Sequence, residues 1–289
     1  MSATVNTTKQ GFLIVGKCVE MYNVLDVTVQ WDPITETIEA QDLHFANYTI
    51  ETAQIIGKVK MFTYEAADKY FWAKQRMYEM CNMAKPLIAA YKNLFDMHDP
   101  SNFPAQKQLL LKVLDNGMEK MTAADVELEK CATYFDLVAK ELTVLLAQLT
   151  IDFSPESEYM KSVYGKIRHG EYGAAAVGAV LGPFGLVMSE ANVATNVEGR
   201  IIPDMQRKFD KVKNFVESLK MQIENTSTDI KNARKKLDLD IEIIRLQSTT
   251  TQQTQSSESL DMNVFHDEII GPVNDYLTHC GELKHKGNN

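Results

Sequence analysis

Residues 205–244 read MQRKFDKVKNFVESLKMQIENTSTDIKNARKKLDLDIEII. Met205, Phe209, Val212, Val216, Leu219, Ile223, Ile230, Ala233, Leu237 and Ile244 fall in alternating steps of four and three, with Thr226 and Asp240 as the polar interruptions. That spacing returns to one side of an α-helix every two turns and is the seam of a coiled coil or long bundle. At ~1.5 Å per residue the helix runs roughly 60 Å, about twice a small domain's diameter. The expectation is an all-α, elongated bundle of long amphipathic helices.

A second seam precedes it. Met121, Ala124, Leu128, Cys131, Phe135, Val138, Leu142, Leu145 and Leu149 alternate in the same way. Asp152-Phe153-Ser154-Pro155 ends that helix, and His98-Asp99-Pro100-Ser101-Asn102-Phe103-Pro104 is a tight turn before it. From Ile34 to about Met97 one proline, Pro86, and one glycine, Gly57, interrupt what reads as one very long helix or two joined end to end. Pro86 is expected to kink it near Asn82. The aromatics Phe62, Tyr64, Tyr70, Phe71, Trp72 and Tyr78 are expected to pack on a neighbouring helix. Val24, Val27 and Val29 are β-branched and would suit a strand, but Phe12, Val15, Val19, Tyr22 and Asp26 follow a helical spacing with only the last position polar, which favours a helix near the N-terminus. Asp32-Pro33 reads as a cap with proline at the first helical position. A shorter helix is expected over 156–168. Residues 263–283 form an amphipathic helix with the face Phe265, Ile269, Val273, Tyr276 and Cys280. The chain divides into an N-terminal segment (1–33), a long-helix bundle (34–170), an apolar hairpin (171–190), a long return helix (191–247), a polar connector (248–262) and a C-terminal helix and tail (263–289).

Composition excludes several functions. With 14 Gly and 8 Pro in 289 residues, the turn signals of an all-β fold are missing. A formal net charge of -9 argues against nucleic acid as a partner, because phosphate neutralisation needs clustered Lys and Arg. It argues equally against a strongly basic membrane-bending surface. No catalytic, cofactor-binding or metal-ligating set stands out. The six histidines, His44, His98, His169, His266, His279 and His285, show no metal-binding spacing. His266-Asp267-Glu268, Asp238 with Asp240, and Arg234-Lys235-Lys236 read as solvated helix faces. Gly173–Gly178 lacks the Gly-Lys-Ser/Thr ending of a phosphate loop. The chain is read as a non-enzyme. Cys18, Cys81, Cys131 and Cys280 are far apart, so free thiols used as small core residues are expected in preference to a disulfide. Phe12-Leu13-Ile14-Val15 is too short for a signal-peptide core, so any export is expected to proceed without a recognisable cleaved signal.

One segment breaks the pattern. Tyr172, Gly173, Ala174, Ala175, Ala176, Val177, Gly178, Ala179, Val180, Leu181, Gly182, Pro183, Phe184, Gly185, Leu186, Val187, Met188 and Ser189 carry no charge between Glu171 and Glu190. The glycines and Pro183 weaken a single helix. Gly182-Pro183-Phe184-Gly185 reads as a turn, which makes the segment a short apolar hairpin between long helices. In lipid, its small residues let backbones approach closely. Two uses fit: a membrane-contacting tip, or core buried in a scaffold whose helices recruit partners.

Long helices, an apolar Gly/Ala-rich hairpin and a very long helix following it resemble the ClyA-type α-helical pore-forming toxins. These include haemolysin E, the Hbl and Nhe enterotoxin components and the xenorhabdolysin-type binary toxins. The resemblance spans about Ile34 to Ile244 and is one of architecture. It implies a secreted, soluble monomer whose tongue, here Tyr172 to Met188, is shielded until it meets a target-cell membrane, where chains rearrange into a ring. The hairpin is shorter than the family's longer tongues and the chain is smaller than many members. That leaves one component of a multi-part toxin, acting with a second chain, open beside a self-sufficient pore-former.

Overall fold

The computed structural model describes residues 3–29, 31, 49–168, 202–253 and 262–283. The fold is all-α. Its helices are α1 (Ala3–Thr28), α2 (Ile50–Asp96), α3 (Phe103–Asp152), α4 (Glu158–Arg168), α5 (Ile202–Gln253) and α6 (Met262–Glu282). α2, α3 and α5 have 47, 50 and 52 residues, each about 70–80 Å at ~1.5 Å per residue. Pro86 lies inside α2, which continues past it as helix. α5 runs on to Gln253, so the first part of the polar stretch expected as a connector is helical. The cap at Asp32-Pro33 and the helix expected to begin at Ile34 lie outside the described residues up to 48.

The turn between α2 and α3 forms for local reasons. His98 takes a left-handed conformation with φ 52°. The Asp99 carboxylate then accepts a hydrogen bond from the Ser101 amide at 2.9 Å, and Pro100 opens a single 3₁₀ turn. That hydrogen bond holds the Asp99 carboxyl below the usual carboxylate range.

Two compact units form. The first comprises α1, α2 from Lys69, α3 up to Lys130, α5 from Gln222, and α6. α1 approaches α3 closely at two glycines. A Cβ on Gly11 would sit 2.7 Å from Leu114 Cδ1, and one on Gly117 would sit 2.9 Å from Val15 Cγ1. Val15 is β-branched and stiff, so the second contact has little room to yield. Lys74 is buried, and its Nζ lies 2.8 Å from both oxygens of Asp26 on α1; the Tyr70 hydroxyl donates to the same carboxylate at 3.3 Å. The second unit comprises α2 up to Asp68, α3 from Cys131, α4, and α5 up to Met221. Here Phe135 is buried under the stacked ring of Trp31, with centroids 5.5 Å apart, and Phe62 meets Tyr134.

Every expected seam position of α3, from Met121 to Leu149, is buried, as are Val216, Leu219, Ile223, Ile230, Leu237 and Ile244 of α5. The α6 face is buried as expected. The α2 aromatics divide: Tyr70 is buried and Phe62 and Tyr78 are half-buried, but Tyr64, Phe71 and Trp72 are exposed. Phe71 and Trp72 meet edge to face, and the Arg76 guanidinium covers Trp72 at 5.8 Å. The expectation that all six pack on a neighbour fails because these aromatics do not share one helical face: Phe71 and Trp72 directly follow buried Tyr70 and so point away from it.

These burials set a contrast in stability. Phe135→Ala should cost about 3–5 kcal/mol, whereas Phe71→Ala should change stability by no more than about 0.5 kcal/mol. Urea midpoints measured on both variants decide it; equal shifts would show that the seam does not hold the fold.

Candidate functional site

The charge-free segment follows α4, so the way α4 is anchored matters. Asp152 ends α3 and is buried. Its carboxylate accepts hydrogen bonds from Thr49 Oγ1 at 2.7 Å, Thr52 Oγ1 at 2.5 Å and Gln148 Nε2 at 2.8 Å. Thr49 also caps α2, accepting from the Thr52 amide at 3.1 Å. The Asp152 carbonyl accepts from Ser157 Oγ at 2.6 Å, and Ser157 in turn caps α4 by accepting from the Met160 amide at 3.0 Å. One residue therefore joins the start of α2, the end of α3 and the start of α4. The carboxylate also lies at the N-terminal end of α2, where the helix dipole favours an anion. Phe153, buried beside it, meets Tyr159 of α4 edge to face.

In the other unit the C-terminal helix is fastened at several heights. Lys9 of α1 pairs with Glu268 at 2.9 Å, and Asn23 Nδ2 donates to the His279 carbonyl at 3.0 Å. Phe12 packs on Tyr276. Cys81 of α2 is bonded to Cys280, with Cα atoms 5.3 Å apart. This overturns the expectation of four free thiols. Sequence separation gave no warning, because a bridge across 199 residues forms only when folding brings α2 against α6. Cys18 and Cys131 are buried and take no part in the disulfide, and burial, helped by the Asp229 carboxylate, pushes the Cys18 thiol up to about 12.

Several polar positions also depart from expectation. His266 and Glu268 contact α2 and α1 and are not a solvated face. Asp238 is exposed as expected, but Asp240 is half-buried, and burial raises its carboxyl despite nearby Lys236. Lys235 and Lys236 are exposed, while Arg234 reaches Thr122 on α3 at 3.5 Å. Burial pulls Glu79 up, but hydrogen bonds from Lys120 and Arg76 outweigh it and hold it below the usual carboxylate range. Among the described residues there is no cluster of metal ligands, and no helix is long and apolar enough to cross a membrane. Residues 172–188 lie outside the described residues.

The sequence model of the family described as Haemolysin E (HlyE) matches residues 1–260, a span that includes α1 to α5 and the charge-free segment. Hemolysin E, chromosomal, of Escherichia coli (strain K12) is 36% identical over 253 residues, which cover 87% of this chain and 84% of that protein. Hemolysin E of Salmonella typhi is 31% identical over 284 residues, covering 98% of this chain and 93% of that protein. The chain belongs to the haemolysin E family. The architectural resemblance read from the helices is therefore a family relationship that runs through nearly the whole chain.

Within this haemolysin E family member, the Asp152 junction escaped sequence reading. Asp152-Phe153-Ser154-Pro155 was legible only as a helix stop; the one available signal was Ser157, placed as a cap three residues before Met160. Asp152→Asn replaces one carboxylate oxygen by an amide donor, which then faces either the two threonine hydroxyls at Oδ2 or the Gln148 amide at Oδ1. The loss should be about 2 kcal/mol or more. Hydrogen exchange should report it as faster exchange over 49–56 and 158–168, with 262–282 unchanged.

Proposed function

We propose that this chain is a membrane-inserting α-helical pore-forming toxin that acts on target-cell membranes, with Tyr172–Met188 as its tongue. The observation that carries this reading is the family match across 1–260, combined with the absence of charge between Glu171 and Glu190 inside that span. The protein acts outside the cell that makes it. Its tongue is shielded in water, meets the lipid, and the chains then assemble into a ring. Lysis by this route is mechanical and needs no catalysis.

The physical chemistry supports each step. An apolar patch of this size is a liability while exposed to water. Its transfer to lipid gains about 25 cal/mol per Å² of apolar surface, several kcal/mol per chain. A ring multiplies that gain and offsets the cost of opening the bundle. Gly173, Ala174, Ala176, Gly178 and Ala179 let neighbouring tongues approach closely in the membrane. Partnership is thus with lipid and with further copies of this chain.

Residues 34–170 and 191–247 are the bundle that carries the tongue, and 263–289 is the C-terminal helix and tail, its helix fastened to α1 and α2.

The test is dye release from liposomes by purified protein, followed by Val180→Asp and Leu186→Asp. A charge at membrane depth costs about 2.5–3.5 kcal/mol, so both variants should lose most release while keeping the parent's melting temperature. Variants that permeabilise like the parent would remove the tongue assignment. Release only with a second protein present would make the chain one component of a multi-part toxin. No release from any vesicle would favour a helical scaffold with 172–188 as core.

A further inference from the structure

Tyr91 and Phe95 lie one turn apart on α2, and His266 of α6 sits against both. The His266 and Phe95 rings are stacked at 3.5 Å with planes 9° apart. The Tyr91 hydroxyl is 2.8 Å from His266 Nδ1. Tyr91 is buried, and burial, with the nearby Asp267 carboxylate, pushes its hydroxyl well above the usual phenol range. It therefore stays protonated and donates to Nδ1, which must be the unprotonated nitrogen of a neutral imidazole.

Protonation breaks this arrangement. Nδ1 becomes a donor, the Tyr91 oxygen must turn to accept, and the buried Tyr91 proton loses its acceptor. An unsatisfied buried donor is costly. The surrounding charges are mixed. Asp267 on α6 and Asp96 on α2 favour the imidazolium, while Lys92 on α2 opposes it. Lys92 is itself drawn to Asn274 Oδ1 at 2.9 Å. Exposed His98, in the turn, touches the edge of Phe95. From α3, Lys107 lies over Phe103, whose ring meets Phe265. From α1, Lys9 is paired with Glu268. Burial outweighs the carboxylates and holds the His266 imidazole below its usual range.

We propose that the contact of His266 with Tyr91 and Phe95 is an acid-sensitive clasp: protonation frees the N-terminal half of α6 from α2, while the Cys81–Cys280 bond retains the C-terminal half. The sign follows from the docked helix preferring neutral imidazole. Docking is at full strength above about pH 6.5, the value for a free imidazole, and weakens as pH falls through the lower value of the docked state. The clasp is independent of the pore-forming reading and needs no membrane.

Hydrogen exchange of the oxidised protein tests it, at about pH 7.5 and about pH 5.5 with rates corrected for intrinsic exchange. Protection over 262–271 should fall by roughly threefold or more on acidification, and protection over 272–282 should fall less. His266→Phe keeps the ring stack without a titrating group, so its protection over 262–271 should not change with pH. His98→Gln should behave as the parent. Constant protection in the parent, or an equal acid loss in His266→Phe, would overturn the proposal. If His266→Phe does not fold, the proton resonances of the His266 ring in the parent decide. A titration midpoint below about 6.5 supports the clasp, and one at or above it removes the clasp.

Discussion

Apolar side chains repeating every three and four residues along α3 and α5 must be covered along their whole length, and that requirement shapes everything else. A helix as long as these gains little from propensity alone; packing of one face supplies its stability. Each fully buried aliphatic or aromatic side chain contributes about 1.5–3 kcal/mol relative to exposure. Leu128, Phe135, Leu142, Leu149, Ile223, Ile230 and Leu237 are all such residues. The bundle can therefore carry unfavourable local features. Pro86 inside α2, the glycines where α1 meets α3, and buried Lys74 each cost something that the seams offset.

The faces of the helices were legible because a periodic pattern is a local property. The α6 stripe and the α3 seam needed only the spacing of one segment. Pairing was not legible. Which helix covers α6, that Cys81 meets Cys280, and that Thr52 reaches Asp152 all depend on contacts about a hundred or more residues apart. Polar positions were the hardest. His266 was read as solvated because adjacent helix residues point in different directions and make no ligand cluster, yet the decisive groups, Tyr91 and Phe95, are on α2. Trp72 failed in the opposite direction, since a large aromatic was expected inside and lies outside beneath Arg76. The charge-free segment stood out in sequence through what it lacks, and composition of that kind does not specify a conformation.

A long apolar seam has a weakness: sliding one helix by a heptad leaves the same kinds of side chain in contact. Buried polar pairs remove that freedom. Asp125 of α3 and Ser227 of α5 are both buried, and the Ser227 hydroxyl donates to the carboxylate at 2.5 Å. In the same unit Arg245 meets Asp115 and Arg234 meets Thr122, so α3 and α5 run antiparallel. A slip of seven residues would bring Lys220 or Arg234 to the place of Ser227. Neither fits a space that a serine fills between two helices. The hydroxyl thus selects one register out of several that the apolar positions alone would tolerate.

Asp152 applies the same logic at the end of the seam. Its carboxylate is satisfied by side-chain donors from two helices, and its carbonyl by the cap of a third. None of those donors identified among the described residues is a cation. A carboxylate solvated by hydroxyl and amide groups keeps its hydrogen bonds only while all of them hold position, because each has a single geometry in which it reaches. Apolar burial tolerates small shifts, but this junction does not. The seams give the bundle its stability, and the buried polar groups decide which one of its near-equivalent packings places α4 at the end of α3.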